Sequence, residues 1–247
     1  MSGVCAKSVC PDMRKVKMHG FIDIHTHILP GVDDGASDAA TAVEIIERMQ
    51  SWGVKRIIAS PHVTQDTFEN TPEELDKALA ELQDELNVRG NNIDISRSAE
   101  YRIDDLSMSQ IKSGIATTLP NSYILVENSF MQEPWGLDQL LFDLQVKGLR
   151  PILAHPERYF YYHKNQRRYD EIHAAGTCFQ VNMLSLAGYY GKEEKTIAEY
   201  LVGKGYVDFL GTDIHHHRHV DSIEAYLQSK DYSKILPKLN LLNDKVF

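Results

Sequence analysis

The stretch FIDIHTHILPGVDDG, residues 21–35, decides how this chain is read. An acid and two histidines fall on alternate positions of a short apolar run, and two more acids and two glycines fill the loop after it. Side chains alternate faces along a strand, so Asp23, His25 and His27 share one face of a predicted strand over 21–27. Ile22 and Ile24 take the other face and are expected to pack outward against helices. Two imidazoles at one strand end can share an ion, with Asp23 behind them as an orienting carboxylate. Gly31 and Gly35 let the loop turn back, which can return Asp33 or Asp34 to the same place.

The alternation of strand and helix continues outward from there. Ser37 and Asp38 offer an N-cap for a helix carrying Val43, Ile46, Met49 and Trp52, ended by Gly53. KRIIAS (55–60) reads as a strand, and Pro72 opens a helix with Leu75, Leu79, Leu82 and Leu86 on one stripe, stopped near Gly90. NIDISRSAE (92–100), SYILVEN (122–128), RPILAH (150–155), CFQVNM (178–183) and YVDFLGTD (206–213) complete seven strand candidates. Helical patterns lie near 135–147, 166–175 and 193–203. The order predicts an α/β fold with a parallel sheet, and seven units favour one TIM-barrel-like (β/α) barrel over two domains. The domain is expected over 20–247, after a flexible leader over 1–19.

In such a barrel, chemistry gathers at the C-terminal strand ends. Those ends carry His25 and His27, His62, Glu100, Glu127, His155, and Asp213 with His215; only the sixth, at Asn182, has no ionisable group. Imidazoles and carboxylates ringed at one mouth need positive charge among them, most simply divalent metal. Several His nitrogens mixed with carboxylates favour Zn, Mn or Fe over Ca or Mg.

Composition narrows the classes. A chain of 247 residues, 43% hydrophobic, buries a substantial core, and a formal net charge of -9 disfavours nucleic acid as the main partner. No apolar run is long enough for membrane insertion, no signal-peptide pattern precedes residue 20, and three cysteines without a framework pattern fit a reducing compartment, so the expected localisation is cytoplasmic.

The same residues resemble the PHP (polymerase and histidinol phosphatase) superfamily of metal-dependent phosphoesterases, whose barrels are distorted and seven-stranded. Within it, DIHTHILPGVDDG, SPH, SAEY, LVEN, AHPERY, QVN and GTDIH look most like the bacterial protein-tyrosine phosphatases of capsule and exopolysaccharide operons, the CpsB/YwqE type. The resemblance runs from about residue 20 to the end. It implies three divalent ions, with Mn expected and Fe or Zn as alternatives. One would take His25, His27, Glu100 and Asp213; a second would share Glu100 and add Glu127 and His155; a third would take Asp34, His62 and His215. Arg158, in HPER, and Arg218 would contact phosphate. HHHRHV departs in spacing from the family pattern, and His216, His217 and His219 are expected in a solvated loop. The implied partner is the tyrosine-rich tail of a tyrosine-phosphorylated bacterial kinase, bound transiently.

Metals at short separation clamp a phosphate and lower the pKa of bound water, giving a metal-bound hydroxide as the expected nucleophile. A cysteine mechanism would need an arginine six residues after the thiol, where Cys5, Cys10 and Cys178 are followed by Pro11, Val16 and Leu184. Tyr101, Phe130, Tyr159, Phe160, Tyr161 and Tyr162 adjoin the candidate ligands and are expected to rim the mouth. The alternatives are a small-molecule phosphatase such as a histidinol-phosphate phosphatase, a PHP scaffold or binding module, and a nuclease.

Overall fold

The structure is a computed structural model that describes residue 18 and residues 20–247. Cys5, Cys10 and the expected leader, apart from Met18, lie outside the described residues; Met18 is buried and donates its N–H to the Trp52 carbonyl.

Among the described residues, nine short parallel strands form two sheets. They are β1 (Phe21–Asp23), β2 (Val54–Ala59), β3 (His62–Val63), β4 (Asp94–Arg97), β5 (Glu100–Arg102), β6 (Tyr123–Glu127), β7 (Arg150–Ala154), β8 (Cys178–Asn182) and β9 (Phe209–Gly211). The first sheet has the order β1-β2-β4 and the second β3-β5-β6-β7-β8-β9. The expected count of seven is therefore not what forms. One predicted strand, 92–100, is divided in two, and an extra short strand follows the one predicted over 55–60. Pro61, which has no N–H, separates β2 from β3, and Ser98-Ala99 separates β4 from β5. Backbone hydrogen bonds still run across the gaps, from Ser98 N to Ala59 O (2.8 Å) and from Glu100 N to Pro61 O (2.9 Å). At the far edges, Asp213 N donates to His25 O (2.8 Å) and His27 N to Ile214 O (2.9 Å), so the curled sheets bring the first and last strands together.

The helices form where the sequence asks for them. Asp38 caps Ala39–Ser51 by accepting from Thr41 N, and Thr71 with Glu74 makes a reciprocal capping box ahead of Pro72–Val88. Val43, Ile46, Leu75, Leu82 and Leu86 are buried in one large cluster with the outer faces of the strands.

Ile22 and Ile24 do not join that cluster, contrary to expectation. They pack with Ile58, Tyr123, Leu125, Ile152 and Phe209 in a second cluster built mainly from strand side chains, beneath the predicted mouth. The reason is local: β1 is three residues long and ends at Asp23, so strand alternation does not carry on to His25 and His27.

The C-terminal helix Asn243–Val246 completes this inner cluster, with Phe247 against Tyr123 and Phe209. Asn243 is buried; its Nδ2 donates to Ile22 O and Leu210 O (both 2.8 Å), and its Oδ1 accepts from Leu210 N (3.0 Å). One side chain thus joins β1 to β9. Among the described residues, no helix is long and apolar enough to cross a membrane.

Candidate metal centre

The predicted strand ends converge. Glu100, fully buried at the start of β5, is the hub: its Oε2 lies 3.2 Å from His25 Nε2, 3.1 Å from His62 Nδ1 and 3.5 Å from His27 Nε2, and its Oε1 lies 3.1 Å from His155 Nε2. Asp213 Oδ1 adds contacts to His25 Nε2 (3.5 Å), His27 Nε2 (3.3 Å) and His215 Nδ1 (3.5 Å). Asp34 Oδ1 faces His215 Nε2 at 3.4 Å and His62 Nε2 at 3.7 Å.

Four overlapping sets of ligand atoms each fall within 4.8 Å of one another: His27 with Asp34, His62 and His215; His25 with Glu100 and His155; His25 with His27 and Asp213; and His62 with Glu100 and Glu127. All nine predicted ligands are brought together. These sets differ from the expected grouping. His27 joins the Asp34 set, Glu100 is not in the set of His25, His27 and Asp213, and the set of Glu100, Glu127 and His155 is divided between two neighbouring sets.

The donor set fits metal ions. Glu100 Oε2 and His62 Nδ1 are buried without a hydrogen-bond partner of acceptable geometry, although Glu100 Oε2 has three imidazole nitrogens around it. Buried polar atoms in that condition are costly, and a cation between them removes the cost. Protons take the place of positive charge in part. Burial disfavours the charged His25 ring, but Glu100 and Asp213 carry its pKa up to about 9, while burial pulls His155 down to about 4. Burial and repulsion from Glu100 push Glu127 up to about 7.

Orienting contacts fix the rings. His25 Nδ1 lies 2.6 Å from Gln180 Oε1 and His27 Nδ1 lies 2.8 Å from Asp33 Oδ2, so both rings turn Nε2 toward Glu100. Two glycines make room. A Cβ on Gly211 would lie 2.7 Å from both His25 Cβ and Gln180 Nε2, and one on Gly35 would lie 2.0 Å from His27 O. Gly35 is thus required by close approach, whereas Gly31 supplies the left-handed turn at φ +67°. Asp23 touches neither ring. It accepts from His25 N and from Thr212 N and Oγ1, and so braces backbone.

Two candidate ligands sit in left-handed backbone, His155 at φ 31° and Asp213 at φ 51°. Non-glycine residues there store strain, a feature of functional sites. Asp213 Oδ2 is held by Asn182 Nδ2 (2.6 Å), Arg158 Nη1 (3.0 Å) and Tyr190 OH (3.2 Å).

An open cavity of about 400 Å³ lies over the cluster, lined among others by Arg102, Arg158, Phe68, Phe130 and Tyr190. The expected aromatic rim is largely replaced. Tyr101, Tyr159 and Tyr162 are buried in the core, and of the predicted six only Phe130 lines the cavity. Phe68 stacks on His62 (5.7 Å between centroids) and Phe130 on His155 (5.6 Å). Arg158 lies over the Tyr190 ring at 4.1 Å and the Phe130 ring at 4.7 Å. Arg218 is exposed and does not line the cavity. His219, expected in a solvated loop, is buried, lines the cavity and accepts from His215 N. His216 also lines the cavity; His217 does not.

A family profile described as "Capsular polysaccharide synthesis, CpsB/CapC" matches residues 21–240. The chain belongs to the CpsB/CapC family. Its relatives in that family include the tyrosine-protein phosphatase YwqE of Bacillus subtilis, 34% identical over 88% of this chain and 87% of that one. Another is the tyrosine-protein phosphatase CpsB of Streptococcus pneumoniae, 27% identical over 84% of this chain and 87% of that one. Among solved structures, one described with YwqE and CpsB as unique metal-dependent tyrosine phosphatases superposes with a TM-score of 0.77 at 29% identity, covering 91% of this chain and 94% of the other. An amidohydrolase from Mycoplasma synoviae shares the fold alone, at a TM-score of 0.59 and 12% identity over 92% of this chain and 87% of that one.

Proposed function

We propose that this CpsB/CapC protein is a metal-dependent protein-tyrosine phosphatase acting in capsular or exopolysaccharide synthesis. The observation that carries the reading is Glu100 buried among four imidazoles, two of which, His62 and His155, line a cavity together with two arginines. Nine residues would hold the ions: His25, His27, Asp34, His62, Glu100, Glu127, His155, Asp213 and His215. Bound there, up to three divalent ions, with Mn preferred, would neutralise phosphate oxygens and bring the pKa of an attacking water toward neutrality.

The chain's own residues do the rest. Arg158, held edge-on by Asp213, presents its remaining N–H groups to a phosphate and stabilises charge as it builds. Phe68 and Phe130 give flat walls for the phenyl ring of phosphotyrosine. Its leaving phenolate, of pKa about 10, needs little protonation. Water attacks phosphorus, the P–O bond to the ring breaks, and tyrosine and inorganic phosphate are the products.

A thiol nucleophile has no support at Cys178. Burial pushes its pKa up to about 12, and it packs with the inner cluster below the site. The substrate in this reading is the phosphorylated tail of a bacterial tyrosine kinase, met transiently in the cytoplasm by a single catalytic domain over residues 20–247.

The test is kcat/KM for matched peptides differing only in phosphotyrosine or phosphoserine, and for histidinol phosphate, before and after chelation. A clear phosphotyrosine preference that chelator abolishes is expected. Equal values, or preference for histidinol phosphate, would replace this reading with a small-molecule phosphatase.

A further inference from the structure

Arg102 ends β5, two residues beyond Glu100, and lines the same cavity as Arg158. Its Nε and Nη2 both lie 3.0 Å from a single carboxylate oxygen, Glu127 Oε2. The other oxygen, Glu127 Oε1, is left to face His155 Nε2 at 3.6 Å. A guanidinium carries five donors in a fixed planar fork, so two bonds to Glu127 do not exhaust it. Nη1 makes no hydrogen bond among the described residues, and the side chain is 27% exposed, in contrast to Glu127 at 1%. Arg158 is arranged in the same way. It spends Nη1 on Asp213 Oδ2 and is 24% exposed. The floor of the cavity thus has two guanidiniums, each anchored on a carboxylate of the candidate centre, one from β5 and one from the turn after β7.

We propose that Arg102 is a second anion-contacting residue, binding non-bridging oxygens of a phosphate monoester through its outer edge while its inner edge holds Glu127. The proposal rests on the phosphatase reading for the identity of the ligand. Three consequences separate it from a role in positioning Glu127 alone. The charge of Arg102 contributes to phosphate affinity. The donor count matters, because lysine cannot hold Glu127 by two bonds and also reach outward. The effect is felt by inorganic phosphate itself, without any peptide.

The experiment uses the full-length, metal-loaded protein and titrates inorganic phosphate by calorimetry, with metal content measured on the same samples. Arg102→Gln and Arg102→Lys are compared with the parent protein. With metal content equal to the parent's, Arg102→Gln is expected to weaken phosphate binding on the order of tenfold or more, and Arg102→Lys by less. Parent-like phosphate affinity in a metal-replete Arg102→Gln protein would overturn the proposal. So would loss of metal in both variants, which would make Arg102 a positioning residue for Glu127. Phosphate binding is read without turnover, so failure of the parent protein on phosphotyrosine peptides would count against the phosphatase reading and leave the result on Arg102 standing.

Discussion

His25 Nδ1 and Gln180 Oε1 lie 2.6 Å apart, joining the segment just after β1 to the middle of β8 across 155 residues of sequence. The contact makes Nδ1 the protonated nitrogen and leaves Nε2 as the ligand atom. Gln180→Leu is therefore expected to lower metal affinity about 10- to 100-fold while the protein stays folded. Competition with a chelator of known affinity, alongside circular dichroism, checks this; unchanged affinity would show that the tautomer is set elsewhere.

Glu100 is the residue whose loss reaches furthest, because four imidazoles face it. Glu100→Gln should remove more metal per chain, and more turnover, than Asp34→Asn, whose carboxylate faces two rings and is 59% exposed. Elemental analysis and kcat on a phosphotyrosine peptide measure the two losses. A larger effect from Asp34→Asn would contradict the central place given to Glu100.

The metal-free protein should lose stability as pH rises above neutrality. The His25 pKa is raised from 6.5 to about 9, burial being outweighed by Glu100 and Asp213, so its contribution is complete below 6.5 and is lost as pH passes 9. Burial, with repulsion from Glu100, raises Glu127 from 4.5 to about 7, so its contribution is complete below 4.5 and is already lost as pH rises through 7. Glu100, held well below the usual carboxylate range against the cost of burial by the His25 and His62 charges, works oppositely and is lost in acid. Chelated protein should thus melt highest near mildly acidic pH, with Tm falling toward pH 9. Metal replaces the protons among these ligands, so reloading should flatten the decline. A decline of equal slope with metal present would mean that other groups cause it.

Replacing Cys5, Cys10 and Cys178 together by serine should leave most of the phosphatase turnover intact. The cost, if any, should be in Tm, since Cys178 packs with the inner cluster. Loss of turnover at full metal content and unchanged fold would point to a thiol in the chemistry.

The convergence of the candidate ligands was legible because they are ionisable and end strands whose apolar pattern is plain, as in SYILVEN and RPILAH. Gln180 and Asn182 escaped a reading confined to ionisable groups, although both sit on β8. Arg102 was available in the same way, two residues after Glu100 on one strand face. The direction of Ile22 and Ile24 was not legible, because nothing in the residue types of FIDIHTH marks the end of the strand at Asp23. Nor was the burial of Tyr101, Tyr159 and Tyr162. A tyrosine beside a ligand reads equally as rim or core, and only tertiary packing decides; Tyr101 OH, for one, accepts from Thr117 N at 2.7 Å in the interior.

Asn243 has a consequence for the order in which the chain can assemble. Its amide ties Ile22 to Leu210, partners 221 and 33 residues upstream. During synthesis the chain emerges from its N-terminus at about 5–20 residues per second, and the helical layers can dock as they appear. Backbone bonds from Asp213 and to Ile214 can close the upper part of the seam between β1 and β9, but its lower part is completed only when Asn243 clears the ribosome exit. The apolar inner surface accordingly stays open to misassociation until that residue is out, and a chaperone that recognises unsealed sheet edges would meet the chain before then.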